Sequence, residues 1–87
     1  MINVIALTNQ QVLISTIEEV GSDLGEPDCK LVNPYVVKTI GDNQVLEPFL
    51  MGLTDEFSFM ISSDKILTLV EPTSILLEKY QKLIRKE

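Results

Sequence analysis

Apolar and polar positions alternate most clearly in residues 57–62, which predicts a strand with one buried face. The buried face would carry Phe57, Phe59 and Ile61, with Ser58, Met60 and Ser62 on the other face. Turn-forming residues follow at 62–64, and residues 66–70 then resume an apolar run without a single charge. An uncharged strand at a sheet edge invites another chain to pair with it. The pattern therefore predicts two apolar strands that meet at a tight turn, with a contact between subunits along one of them.

Shorter runs rich in Val, Ile, Leu and Thr predict further strands before this pair. Asn9-Gln10-Gln11 separates the first two runs and predicts a hairpin, since Asn tolerates the left-handed backbone that a two-residue turn requires. Polar and glycine-containing segments at 21–27 and 39–44 predict the next turns. The strands expected here are residues 3–8, 12–20, 28–38 and 45–53.

Prolines and a glycine mark irregular places in these strands. Pro34 cannot donate to a ladder, so it predicts an edge, a bulge or a sharp bend, and Pro48 predicts an edge or irregularity. Gly52 suggests a bulge or a close backbone approach. Residues 54–56 either turn the chain or kink one long strand that leads into Phe57, and we favour the kink. Strict alternation along the third strand places four residues on one face: Cys29, Leu31, Tyr35 and Val37.

The pattern changes after Val70 to that of a helix. Pro72 and the hydroxyl residues that follow it suit a helix start. Glu78 and Lys82 form an i, i+4 pair in the favourable order. Apolar side chains recur at helical spacing on one face, which consists of Leu76, Tyr80, Leu83 and Ile84.

Length limits the chain to one small domain, expected to span residues 1–87 with strands in 1–71 and a helix in 72–87. A domain of 87 residues buries a modest share of its surface and gains stability from association. The formal net charge is −6, but residues 72–87 hold four basic side chains against two acidic ones. An acidic body repels nucleic acid at long range, so any such contact needs a local site with a different field.

The single cysteine and the absence of long apolar runs bear on where the protein works. Cys29 cannot form an internal disulfide, which points to a reducing compartment, and we interpret it as a small buried hydrophobe. The N-terminus lacks the charged flank and apolar run of a signal peptide. No apolar stretch approaches the ~20 residues of a membrane helix. We therefore expect a cytoplasmic protein without membrane contact.

The residue set argues against an enzyme. The chain has no histidine, which removes the common nucleophilic triads and the usual zinc ligand sets. Its four glycines form neither a phosphate-binding loop nor a dinucleotide fingerprint. Neighbouring carboxylates such as Asp55-Glu56 would point to opposite faces of a strand. We expect no catalytic residue, no metal and no cofactor.

About five strands joined by short turns predict a small, strongly bent antiparallel barrel, with OB-type and SH3-like barrels as alternatives. Two short motifs make the chain resemble the Sm-like (LSm) family of ring-forming RNA-binding proteins. Ile61-Ser-Ser-Asp-Lys-Ile66 is similar to the family's second motif, with two serines in place of its Arg and Gly. Leu31-Val32-Asn33 is similar to the end of the first motif, with Leu31 at the base-stacking position. The resemblance implies a mostly β, five-stranded Sm-like (SH3-type) barrel, here with a C-terminal α-helix.

The resemblance also implies a nucleic-acid site and a ring. Asn33 would hydrogen-bond a base edge, Leu31 would contact a base, and the turn would contribute Ser62, Ser63, Asp64 and Lys65. Copies of Lys65 and of the serine amides would converge around one pore and form an anion site. In the family, the strand before the second-motif turn pairs with the strand after it on the neighbour. The interface would then contain Phe57, Phe59, Ile61, Ile66, Leu67, Thr68, Leu69 and Val70.

Two hypotheses of function follow. The first is a homo-oligomeric ring that binds single-stranded RNA, or DNA, and acts in RNA processing or chaperoning. The second is a protein-interaction or scaffold ring that has lost RNA binding and uses its C-terminal helix as a docking surface. The missing Arg and Gly and the acidic body motivate the second.

Overall fold

Six antiparallel strands, a 3-10 turn and one helix make up the protein in a computed structural model that describes residues 2–21, 27–50 and 52–85. The prediction of a mostly β domain with one C-terminal helix is confirmed. The predicted loop at 21–27 lies largely outside the described residues. In chain order the elements are β1 (Ile2–Leu7), β2 (Val12–Glu19), β3 (Cys29–Ile40), β4 (Asn43–Pro48), β5 (Ser58–Ile61), the 3-10 turn (Ser63–Lys65), β6 (Ile66–Val70) and α1 (Ser74–Arg85).

The strands form one sheet in the order β4-β3-β2-β1-β6, and β5 also pairs with β3. The second half of β3 pairs with β4 and its first half pairs with β5. No pairing joins β5 to β6 within the described residues, so the sheet has two ends and does not close. The described residues contain six strands, one more than the five expected.

The extra strand arises because the chain leaves the sheet between β4 and β5. β4 ends at Pro48 rather than at residue 53. Leu50 and Gly52 adopt positive φ values of 58° and 82°, which belong to turns and not to a strand. A Cβ at Gly52 would meet nothing within 4 Å, so backbone conformation and not a close approach explains the glycine. The expected single kinked strand is therefore wrong, and turns connect the two strands.

A bulge at Asn33 and Pro34 switches the faces of β3. Ile14 pairs with Tyr35 and Thr16 pairs with Val32, so both bulge residues lie opposite one residue of β2. Asn33 takes a φ of 53°, a left-handed conformation that Asn tolerates. Strict alternation therefore fails: Cys29 and Leu31 lie on one face of the sheet, whereas Tyr35 and Val37 lie on the other.

The two faces carry separate apolar cores. On the helix face, Leu76 and Tyr80 of α1 pack against Ile14, as the apolar stripe predicts. Thr73 caps the helix by accepting a hydrogen bond from the Leu76 amide at 3.2 Å. The apolar side of α1 is thus packed against its own sheet. The opposite side of the sheet, called the far face below, is built around Ile5, Leu7, Leu13 and Leu31.

Candidate functional site

The outer edge of β6 has the features of a pairing surface. β6 pairs with β1 on one side, and no described strand pairs with its other side. Residues 67–70 are all exposed, and Leu67 is 72% exposed. The strand contains no charged residue. Free backbone donors and acceptors beside uncharged side chains are a template for another strand.

The outer edge of β5 offers a second such surface at the other end of the sheet. β5 pairs with β3 on one side, is free on the other within the described residues, and carries no charge. Phe59 and Ile61 are half-buried as predicted, and Phe59 packs edge-to-face on Phe49 with ring centroids 5.7 Å apart. Phe57 is 67% exposed, so the prediction that its side chain is buried is wrong.

The outer edge of β4 is protected, unlike the other two. Gly41 and Asp42 form a two-residue turn in which Gly41 has a φ of 61°. The residues flanking such a turn form the first hydrogen-bonded pair, so the next carbonyl, that of Gln44, points to the free edge. Lys79 Nζ donates a hydrogen bond to that carbonyl at 3.1 Å. Pro48, which has no amide hydrogen, ends the strand, so β5 and β6 are the undefended edges.

The turn between β5 and β6 is held by Asp28. Ser63 donates two hydrogen bonds to the Asp28 carboxylate, one from its backbone amide and one from its hydroxyl, each 2.7 Å long. The Ser62 hydroxyl accepts a bond from the Asp64 amide at 3.4 Å. These amides were expected to bind an external anion. The Ser63 amide already donates its hydrogen bond to the Asp28 carboxylate, and the negative charge of that carboxylate would repel a phosphate at the same place.

Leu31 and Asn33 do not form the expected base pocket. Leu31 is 1% exposed in the far-face core, so its side chain cannot stack on a base. The Asn33 amide donates to the Phe57 carbonyl at 2.7 Å, and the Asn33 carbonyl accepts from the Tyr80 hydroxyl. In the ladder between β3 and β5, Cys29 pairs with Ile61, the last residue of β5 before the turn. Asn33 lies four residues farther along β3, a distance of about 13 Å in a strand. The structure therefore does not bring Asn33 together with the turn residues.

A cavity of about 700 Å³ opens on the far face beside β6. Its lining is mostly apolar and includes Ile17, Ile66, Leu67 and Leu69, together with the polar residues Glu19 and Asp28. Cys29 also lines this cavity, and it is buried as predicted. Burial raises the pKa of the Cys29 thiol, and the carboxylates of Asp28 and Glu19 raise it further.

Sequence reasoning missed the roles of Asp28 and Tyr80. Asp28 lies 35 residues from Ser63, and no local pattern connects the two. Tyr80 is predictable as part of the helix stripe, but its hydroxyl contacts depend on the bulge in β3. The i, i+4 pair of Glu78 and Lys82 forms no ion pair in the described part of the chain, where the one ion pair joins Lys38 and Glu47 at 2.9 Å.

The Asp28 contact predicts a pH dependence of stability. Hydrogen bonds from the Ser63 hydroxyl and then the Ser63 amide lower the pKa of Asp28 below its ordinary value of 3.8. A lowered pKa contributes stability above the ordinary value and loses it as pH falls through the folded-state pKa. We expect Asp28→Asn to be less stable than the wild type at pH 6, with a difference that shrinks as pH falls below 3.8 and disappears once pH is below the lowered folded-state pKa of Asp28. Urea midpoints at a series of pH values measure this.

Asp55→Asn is the matched control for Asp28→Asn. Asp55 is exposed and its carboxylate makes no hydrogen bond within the described residues, so the charge change is the same and the contact is absent. A difference between Asp28→Asn and wild type that persists unchanged at the lowest pH would show that the carboxylate bonds are not its source.

Among the residues described, no three Cys, Asp or Glu side chains come together in a way that could hold a metal ion. The described helix is too short and too polar to cross a membrane. No curated protein matches the chain. The model of one protein family matches residues 1–85, and nothing in that match links the chain to Sm-like proteins. The chain therefore belongs to DUF6561, a family of unknown function.

Proposed function

We propose that the protein is a self-associating scaffold module whose copies join through the free edges of β5 and β6. The observation that carries the proposal is the outer edge of β6, which is unpaired within the described residues, uncharged and exposed along residues 67–70. The contrast with β4, where Lys79 covers an outward carbonyl, supports it. A sheet that protects its β4 edge and leaves its β6 edge unprotected is the arrangement expected where the unprotected edge has a partner.

The two free edges favour a head-to-tail contact. β5 and β6 occupy different ends of one sheet and do not pair with each other in the described chain. When β5 of one copy pairs with β6 of the next, both of these edges gain a partner. The first copy keeps a free β6 edge and the second a free β5 edge, to which further copies can add. Such a contact closes into a ring when its rotation allows, as in the Sm-like assemblies that the sequence resembles. A lone cysteine fits the reducing cytoplasm, where we place the module.

A scaffold accounts for the turn better than a nucleic-acid site does. Leu31 is buried, the Ser63 amide is bonded to a carboxylate, and the chain carries a net charge of −6. Each of these features opposes contact with a phosphate backbone or a base. Repetition of one small domain in a ring offers instead several identical surfaces, through which weak contacts to a partner gain avidity.

Native mass spectrometry with light scattering over a dilution series tests the proposal. We expect a discrete oligomer at micromolar concentration that dissociates on dilution. A domain of 87 residues has a small surface, so the contact between two copies can bury only a small area. A protein that stays monomeric at all concentrations up to about 100 μM, well above the 1 μM of a modest affinity, would rule the scaffold out.

Single-stranded RNA binding is the competing proposal, and exposed Lys65 beside Ser62 is the observation that favours it. Fluorescence anisotropy with short oligo-U, oligo-A and single-stranded DNA at low salt separates the two functions. The scaffold predicts no change in anisotropy with any of them. Binding that weakens with rising salt and is lost in Lys65→Ala would establish the nucleic-acid function.

A further inference from the structure

We infer that Phe57 of one copy inserts into the far-face cavity beside β6 of the next copy. The inference deepens the proposed function and rests on its β5 to β6 pairing. It assigns the cavity an occupant, a second copy of this chain, and it assigns Phe57 a role as the anchor of the contact.

Phe57 is an aromatic side chain held in an exposed position. The other two phenylalanines, Phe49 and Phe59, pack on each other, whereas Phe57 remains 67% exposed. The backbone of Phe57 is held in place, because its carbonyl accepts the 2.7 Å hydrogen bond from the Asn33 amide. This bond extends the ladder between β5 and β3 by one residue. A rigid exposed aromatic beside a free strand edge is the kind of residue that anchors protein interfaces.

The cavity lies at the complementary edge. Four of the five residues of β6 contribute to its lining: Ile66, Leu67, Thr68 and Leu69. Leu69 lies directly opposite Ile5 in the ladder and therefore shares the far face with it. The cavity is thus continuous with the edge to which a second β5 would add, and its volume of about 700 Å³ leaves room for a phenyl ring.

Strand parity puts Phe57 on the side of this cavity. Ile61 packs on the far-face core, and Phe57, four residues earlier, has the same parity. The chain of antiparallel pairs makes β5 and β6 point the same way in the sheet. When β5 of one copy adds to β6 of the next as a parallel strand, the far faces of the two copies therefore become continuous. Phe57 then lies on the face that carries Leu69 of the neighbour.

The size of the pairing strands explains why an anchor is needed. β5 has four residues and β6 has five, so their ladder alone supplies few hydrogen bonds. Stable interfaces bury about 800 Å² on each partner, more than two such short strands provide. The exposed Phe57 and Leu67 extend the apolar contact beyond the ladder.

The chain contains no tryptophan, so Phe57→Trp introduces a single fluorescent reporter. We expect its emission to be blue-shifted and protected from acrylamide in the oligomer, and to become red-shifted and quenchable when the oligomer dissociates on dilution. Ile40→Trp is the control, because Ile40 is 63% exposed at the β3–β4 turn, away from both free edges. Its emission should be red-shifted in both states.

Phe57→Ala provides a measurement that does not depend on the fit of an indole ring. Loss of an aromatic anchor should weaken association about tenfold or more, with the fold unchanged by circular dichroism. An oligomer that forms while residue 57 stays exposed, or a Phe57→Ala variant that associates like the wild type, would overturn the inference and leave edge pairing intact. A wild-type chain that never associates would overturn both.

Discussion

Replacing Tyr80 with phenylalanine is expected to lower the free energy of unfolding by about 1–3 kcal/mol, and replacing it with alanine by about 3–5 kcal/mol. Tyr80 is fully buried. Its hydroxyl accepts the Thr16 amide at 3.0 Å and lies within donating distance of two carbonyls, 2.9 Å from Asn33 and 3.1 Å from Val32. The bulge in β3 withdraws these groups from the regular ladder, and the tyrosine is their buried partner.

Urea unfolding followed by far-ultraviolet circular dichroism measures the effect, at one protein concentration because association would shift the midpoint. Ile75→Ala on the same helix is the control, since its side chain is 67% exposed and its loss should change stability by no more than about 0.5 kcal/mol. If Tyr80→Phe proved as stable as the wild type, the hydroxyl would not be the partner of the bulge.

The fold could be predicted from sequence where the pattern is local. Apolar spacing placed α1 with its buried Leu76 and Tyr80, and it located the two apolar strands around the turn at Ser63–Lys65. Pro34 signalled an irregularity but left an edge, a bulge and a bend equally open. Which of the three forms depends on the residue of β2 that lies opposite the irregularity. That pairing is long-range, so the alternation of residues along β3 alone does not predict it.

The candidate site was predictable in part for the same reason. The absence of charge from residues 66–70 is visible in the sequence and indicated the β6 edge. The exposure of Phe57 was not visible, because an alternating aromatic is buried only if the core extends far enough beneath it. The contact between Asp28 and Ser63 joins residues 35 positions apart, and it changes the turn from an anion site into a bonded corner.

Leu67→Lys is expected to raise the dissociation constant of the oligomer more than a hundredfold, because burying an unpaired charge at an interface costs about 3–5 kcal/mol. Leu67 is the extra residue of a bulge in β6, since Leu7 pairs with Ile66 and Ala6 pairs with Thr68. Its side chain is 72% exposed in the single chain, so the lysine is solvated in the monomer and the substitution should leave monomer stability nearly unchanged. Pairing with a neighbour would remove that solvation.

Sedimentation velocity at several concentrations measures the dissociation, and urea midpoints of the dilute monomer confirm that the fold is intact. Ile75→Lys is the matched control, because it adds the same charge at a similarly exposed position on α1, outside the strands. We expect Ile75→Lys to associate like the wild type. If both variants dissociated alike, added charge in general would be responsible. If neither did, the subunits would meet elsewhere than at β6, because a lysine ammonium buried without a partner at that edge could not be tolerated.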